Sequence, residues 1–182
     1  TDEVGVFAMG DGGMREVTNP SDVFLAERSR EVPGSVVVAT VTGLRPMLVE
    51  IQALVVPTQL AVPRRVATGI DQRKVTLMAA VLQKHCKLGL GTSDIFVSVV
   101  GGLKIAEPAV DLGLALAMAS GFMNKAMPGK SVAIGEVGLL GEIHKISRLE
   151  ARIAEAKRMG YTKVIGPGEY RTLQEVIRTV LK

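Results

Sequence analysis

At 182 residues the chain is long enough for one full-sized domain or two small ones, and with 47% apolar residues it can bury a sizeable core. Its single cysteine, Cys86, excludes an internal disulfide and a cysteine-cluster metal site. No apolar run has the length of a membrane span, and the opening TDEVGVFAMGDGG lacks the basic and apolar regions of a secretory signal, so a reducing, cytoplasmic setting is expected.

The net charge of +4 is unevenly spread. Residues 1–44 carry three basic and seven acidic side chains, whereas residues 45–104 carry eight basic and three acidic ones. Such an asymmetry points to a basic face and a polyanionic partner.

In chain order, VGVFAM and MREV flank Gly10-Asp11-Gly12-Gly13 and predict a β-hairpin. NPSDVFLAER offers Asn19 as a cap and Pro20 at the first helical position, so a short helix should follow. SVVVATVTG and RPMLVEIQALVV predict a second hairpin around Gly43-Leu44. In its second strand Leu48, Glu50 and Gln52 share one face, and Val49, Ile51 and Ala53 the other. RRVATG reads as a short strand. Asp71 should cap a helix over 72–87, with Val75, Met78, Leu82 and Cys86 on its buried face and Gly89 ending it. DIFVSVV is a strand closed by Gly101-Gly102, and a nearly all-apolar helix over 108–121 should be buried on most sides. SVAIGEVG and EIHKI form a strand pair around Leu139-Leu140-Gly141. A helix capped by Ser147 and ended by Gly160, the strand KVIGP and a helix in EYRTLQEVIRTVLK complete the chain. Strands and helices mix without strict alternation, which predicts an α+β fold with a mixed sheet.

Several chemistries lack their residues. PGKS at 128–131 is half a phosphate loop, but Asn124 stands where the pattern needs its first glycine, and a strand follows instead of a helix. There is no GxGxxG fingerprint. His85 and His144 lie in different elements at no metal-ligating spacing, so no metal site is expected. No Gly-x-Ser-x-Gly elbow occurs. A serine–lysine arrangement is the one hydrolytic option left open.

From DIFVSVVGG to KVIGPGEYRTL the chain resembles the proteolytic domain of the Lon proteases. In that family a Pro-Ser-Ala-Gly loop opens the first helix, and a Gly-Gly-Leu-Lys-x-Lys segment carries the catalytic lysine. Counting without gaps from Gly135-Glu136 places Ala109 at the serine and Arg152 at the lysine, with the two glycines at Ser147 and Arg148 and Leu149 retained. Alanine has no nucleophile, and arginine stays protonated and cannot serve as a general base. No catalytic residues are therefore expected, only the vacated positions Ala109 and Arg152.

Over its whole length, through EVGVFAM, REVTNPSDVFL, GSVVVATVTGLRPMLVEIQALV, PRRVATGIDQRK, GGLKIAEPAVDLGLALA and GEVGLLGEI, the chain resembles the C-terminal Lon-protease-like domain of the RadA (Sms) family of bacterial DNA-repair proteins. The resemblance implies a ribosomal protein S5 domain 2-like fold and a single domain over 1–182, with the hairpin and helix of 1–34 packed on it. It implies a homo-hexameric ring acting on DNA recombination intermediates, single- or double-stranded, in which this domain binds DNA and assembles without proteolysis. In that family a zinc finger and a RecA-like, DNA-dependent ATPase precede the domain. Zinc and ATP with magnesium would belong to those parts, and no cofactor is expected here. The alternatives are a purely structural oligomerisation domain and an active serine–lysine peptidase.

Phosphate contacts need Arg or Lys on one accessible surface. Arg45 at a hairpin turn, Arg64 at a strand entrance, Arg73 in the first turn of a helix and Lys104 beside the Gly101-Gly102 loop are the first candidates. Arg65 and Lys74 are the second. A cation in a first helical turn opposes the helix dipole, which hints at use elsewhere. No aromatic is expected to interleave this set, so base stacking is not expected and binding should be weakly sequence-specific and steeply salt-dependent.

Overall fold

The computed structural model describes residues 7–10, 12–17, 19–25 and 31–182. The expected hairpin forms as β1 (Phe7–Gly10) and β2 (Gly13–Glu16), and the short helix as α1 (Pro20–Leu25). The flanking stretches 4–6 and 26–28 of those expectations lie outside the described residues. β3 (Ser35–Thr42) and β4 (Arg45–Pro57) make the second hairpin. Gly43 supplies the left-handed φ of 60° that a two-residue loop of this kind needs at its first position.

β4 is the spine of the fold. Its first half pairs with β3, and its second half pairs antiparallel with β6 (Ser93–Val99). β5 (Arg65–Thr68) runs parallel to β6 at one edge; β7 (Ser131–Ala133) and β10 (Lys163–Ile165) continue in parallel beyond β3 at the other. The sheet order is β10-β7-β3-β4-β6-β5, a mixed sheet as expected. β8 (Glu136–Val137) and β9 (Ile143–His144) form a separate small hairpin.

The two faces of the sheet are covered unequally. α2 (Gln72–Cys86), α3 (Asp111–Met123) and α5 (Leu173–Val180) cover one face along the main core, where Val36, Val38, Val49, Ile51 and Val97 pack. On the other face, α1 and α4 (Leu149–Arg158) lie over β3 and β4, against Val37, Ala39 and Leu48. That explains why β3 from Ser35 to Thr40 and β4 from Met47 to Ile51 are buried on both faces, as doubly covered strands are. The strand-face assignment of Leu48 and Glu50 against Val49 and Ile51 holds, with Leu48 in the smaller cluster and Val49 and Ile51 in the larger.

Three helix ends differ from expectation. α2 is capped at its start by Asp71, whose carboxylate accepts from the Arg73 amide at 2.9 Å, but it ends at Lys87 (φ 59°) and not at Gly89. The Lys87 amide bonds back to the Leu82 carbonyl, so the closing hydrogen bond is made before glycine is reached. α3 runs two residues beyond 121, to Met123, with left-handed Asn124 as its cap. α4 is not capped by Ser147: Arg148, at φ 55°, occupies the cap without a side-chain bond to the helix. Asn19 lends α1 its backbone carbonyl, while its side-chain oxygen accepts from Arg158 at 2.8 Å.

α3 lies directly on the sheet because Gly113 lets it. A Cβ at Gly113 would stand 2.0 Å from Val38 Cγ1. Gly113→Ala should therefore cost ~1–3 kcal/mol in chemical denaturation by overpacking. Adding Val38→Ala removes the obstructing methyl, so the double variant should be more stable than the sum of the two single losses predicts.

Candidate functional site

Glu107 leads into the turn Pro108–Val110 that precedes α3. Its carboxylate accepts from Thr40 Oγ1 at 2.6 Å and from the Val41 amide at 2.8 Å, both on β3. It also receives both terminal nitrogens of Arg152, with Nη1 at 2.9 Å from Oε1 and Nη2 on Oε2. Arg152 is 1% exposed. Its Nη1 also donates to the Ala39 carbonyl at 2.6 Å, and its Nε to the Ser147 carbonyl at 3.2 Å. One guanidinium thus ties β3, the loop before α3 and the start of α4 together. The geometry is the two-pronged carboxylate pairing that arginine makes and lysine does not.

Ala109, the other position that the resemblance reads as vacated, is 2% exposed, and its carbonyl accepts from the Gly135 amide at 2.9 Å. At this place the structure holds a buried methyl group and an arginine that donates to Glu107 and to the carbonyls of Ala39 and Ser147. Arg148 adds a sign of the same register. It stands where the resemblance expects glycine, and its φ of 55° is one that glycine adopts freely. Its Nη1 donates to the Leu44 carbonyl at 3.0 Å, linking α4 to the β3–β4 turn.

Burial would raise the Glu107 pKa, but the bonds from Arg152, Thr40 and Val41 outweigh it and hold the carboxyl below its ordinary value. Asp111, at the start of α3, moves the other way. Burial pushes its carboxyl up, and Lys74, whose Nζ lies 2.5 Å from its Oδ1, offsets this only in part.

The six candidate phosphate contacts divide between two ends of the sheet. Arg45, Arg73, Lys74 and Lys104 fall at one end. Arg45 is paired with Thr42 across the β3–β4 turn, and the 101–107 loop is joined to β3 through Thr40 and to Gly69, just before α2, through the Ile105 amide at 2.8 Å. Lys104 is exposed and lines a cleft of about 240 Å³ with Thr40, Thr42 and Glu107. Arg73 is 93% exposed in its side chain and pairs with Asp71 at 2.9 Å. Lys74 is not free: besides Asp111 it donates to the Glu107 carbonyl at 3.2 Å. Arg45 is exposed and near enough to lower the pKa of Glu155.

Arg64 and Arg65 lie at the opposite end of β5. Arg64 grips Asp94 through its backbone amide at 2.7 Å, Nε at 2.8 Å and Nη2 at 2.6 Å, which holds that carboxyl below its usual range. Its guanidinium lies 5.6 Å from the centre of the Phe96 ring, so an aromatic does adjoin the basic set. The β5–β6 register makes this neighbour, which sequence distance conceals. Arg65 turns inward, donating to the carbonyls of Arg64, Ser93 and Leu90, and burial lowers its pKa. Sequence reasoning also missed the Glu107 clamp, Thr40 and Arg148. For Glu107 the available signal was its place immediately before the loop that the Lon resemblance singles out.

Removing one partner of a buried pair leaves an uncompensated charge, so Arg152→Ala should cost ~3–5 kcal/mol in denaturant unfolding. Glu107 has a depressed folded pKa, so its contribution is complete above the ordinary carboxylate range and is lost as pH falls through the lower folded value. Asp111 contributes with the opposite sign, its penalty disappearing on protonation. In unfolding titrations against pH, Glu107→Gln should flatten the acid loss of stability and Asp111→Asn should steepen it.

No protein-family model matches the chain. Among curated proteins it is 47% identical over 167 residues, 92% of its length, to the DNA repair protein RadA of Halalkalibacterium halodurans. The corresponding proteins of Bacillus subtilis and Listeria monocytogenes are 46% and 47% identical over the same share. The chain spans about 36% of the length of these relatives. With that identity across nearly its whole length, the chain belongs to the RadA family of DNA repair proteins, as a segment of a little over a third of their length.

Proposed function

We propose that this chain is the non-proteolytic, DNA-binding and ring-assembling C-terminal module of a DNA-repair ATPase that processes recombination intermediates. The observation that carries the reading is the Glu107–Arg152 clamp at the site where a serine–lysine peptidase would hold its base. An arginine locked by a carboxylate at 2.9 Å takes no proton from a nucleophile, and Ala109 offers none. The site's polar groups are spent on fixing the loop that carries Lys104.

DNA contact is assigned to the end of the sheet that gathers Arg45, Arg73 and Lys104, with Arg148 beside them through its bond to Leu44. These side chains are exposed and sit at turns and helix starts, where a phosphate backbone can reach them. Lys104 makes no ion pair among the described residues, so it pays no lost partner when a phosphate binds. Arg64, at the far end and held by Asp94, belongs to a separate surface. The same pairings favour one second reading. Lys74 with Asp111, Arg64 with Asp94 and Arg73 with Asp71 are internally neutralised, as in a purely structural assembly domain.

Duplex binding against salt separates the two. Lys104→Ala and Arg45→Ala should each weaken binding and flatten the salt slope by about one unit, whereas Lys74→Ala should act mainly through stability. Absence of any DNA affinity at low salt would leave the structural reading. Ala109→Ser alone should yield no turnover of unfolded protein or activated acyl substrates, since Arg152 cannot serve as base.

A further inference from the structure

The half of the sheet that α1 and α4 leave uncovered is an open groove of about 520 Å³, lined by β4, β5, β6 and the segment 32–35. The strand register orders its floor into rows. Gln52, Ser98 and Thr68 form a polar row, and Leu54, Phe96 and Val66 an apolar row; the next pair along the strands, Val56 and Asp94, lies beyond the lining. Leu54 is 60% exposed and Val66 44%. Leu60 and Val62, in the segment between β4 and β5, are exposed as well.

On the other side of the sheet, beside the end of α2, the β8–β9 hairpin ends in Leu139 and Leu140, 63% and 76% exposed. This tip is not loose. The Gly141 amide bonds to the Gly138 carbonyl at 3.0 Å, the Leu140 amide to Glu142 Oε2 at 3.0 Å, and His85 Nε2 lies 3.0 Å from the Leu139 carbonyl. The Leu173 amide fixes the Gly141 carbonyl at 2.8 Å. Two adjacent leucines are thus held rigidly in water, which costs solvation and gains no intramolecular packing.

We propose that the Leu139–Leu140 tip of one copy of this chain seats in the Leu54–Phe96–Val66 groove of the next, giving a head-to-tail interface. The proposal rests on the assembly part of the function proposed above and names its contact surfaces. Tip and groove lie on opposite sides of one sheet, so a chain cannot fill its own groove, and the contact is heterologous, the kind that closes into rings. The charges nearest each surface are engaged within the chain: Arg64 with Asp94 at 2.6 Å, and the Glu142 carboxylate with the Leu140 amide at 3.0 Å and His144 Nε2 at 3.2 Å. Docking them therefore strands no lone charge. The same pairing disfavours a nucleic-acid strand in the groove, because phosphate attraction needs unpaired cations. The exposed apolar side chains amount to roughly a few hundred Å², the size at which patches become interfaces. That is below the ~800 Å² per partner of a standard interface, so self-association of this chain should be weak and concentration-dependent.

Leu54→Glu and Leu140→Glu test the contact by sedimentation velocity across a concentration series, with thermal melts as a folding control; Leu54→Gln replaces the glutamate if the sheet is perturbed. The chain should grow beyond a dimer with concentration, and each variant alone should stay monomeric. An equimolar mixture of the two should form a heterodimer and stop there, because the intact tip of the first fits the intact groove of the second. Variants that assemble like the parent overturn the interface while leaving assembly standing. A mixture that stays monomeric overturns the head-to-tail geometry. A parent chain that is monomeric at every concentration overturns both this contact and assembly by this module. Loss of single-stranded oligonucleotide binding in Leu54→Glu, with assembly unchanged, assigns the groove to nucleic acid and overturns the proposal.

Discussion

The Glu107–Arg152 pair is the constraint on which the rest of the site depends. A buried guanidinium is tolerable only with partners for its donors, and here the carboxylate and the carbonyls of Ala39 and Ser147 accept four hydrogen bonds from it. Satisfying them brings β3, the 101–107 loop and α4 to fixed positions. The position of Lys104 and the approach of Arg148 to the β3–β4 turn follow from that anchoring. The arrangement also gives a physical reason for arginine at this position: lysine cannot make the two-pronged contact to Glu107 and still reach two carbonyls.

The second organising feature is the unequal covering of the sheet. α2, α3 and α5 bury one face, whereas α1 and α4 cover only the β3 side of the other. The exposed remainder exposes Leu54 and Val66 beside a ring already topped by Arg64. A mixed sheet with β4 shared between two pairings makes this possible. β4 is buried on both faces from Met47 to Ile51, and from Gln52 to Leu54 its burial alternates as in a strand with one open face.

Much of this was legible in the sequence because local periodicity dictates it. The β3–β4 hairpin, the amphipathic α2 and the all-apolar α3 follow from patterns of two and of three to four residues. The helix ends were less legible. Lys87 and Arg148 adopt left-handed backbone angles that their residue types do not advertise, because closing hydrogen bonds and neighbouring elements hold them there. The positions Ala109 and Arg152, which the Lon resemblance reads as vacated, follow from counting residues. The partner of Arg152 does not, because Glu107 and Arg152 are 45 residues apart in the chain.

The sequence by itself determined the elements, the mixed α+β class, the RadA resemblance and the surplus of positive charge in the middle third. These depend on residue type and short-range spacing, which survive without coordinates. Only the tertiary structure decided which of those charges act together. It set Arg45, Arg73 and Lys104 at one end of the sheet, bound Lys74 to Asp111, and carried Arg64 and Arg65 to the other end, one over Phe96 and one into backbone carbonyls. The physical reason is that a charge is assigned its role by its partner, and partners are chosen by strand register and packing over distances that no local pattern encodes.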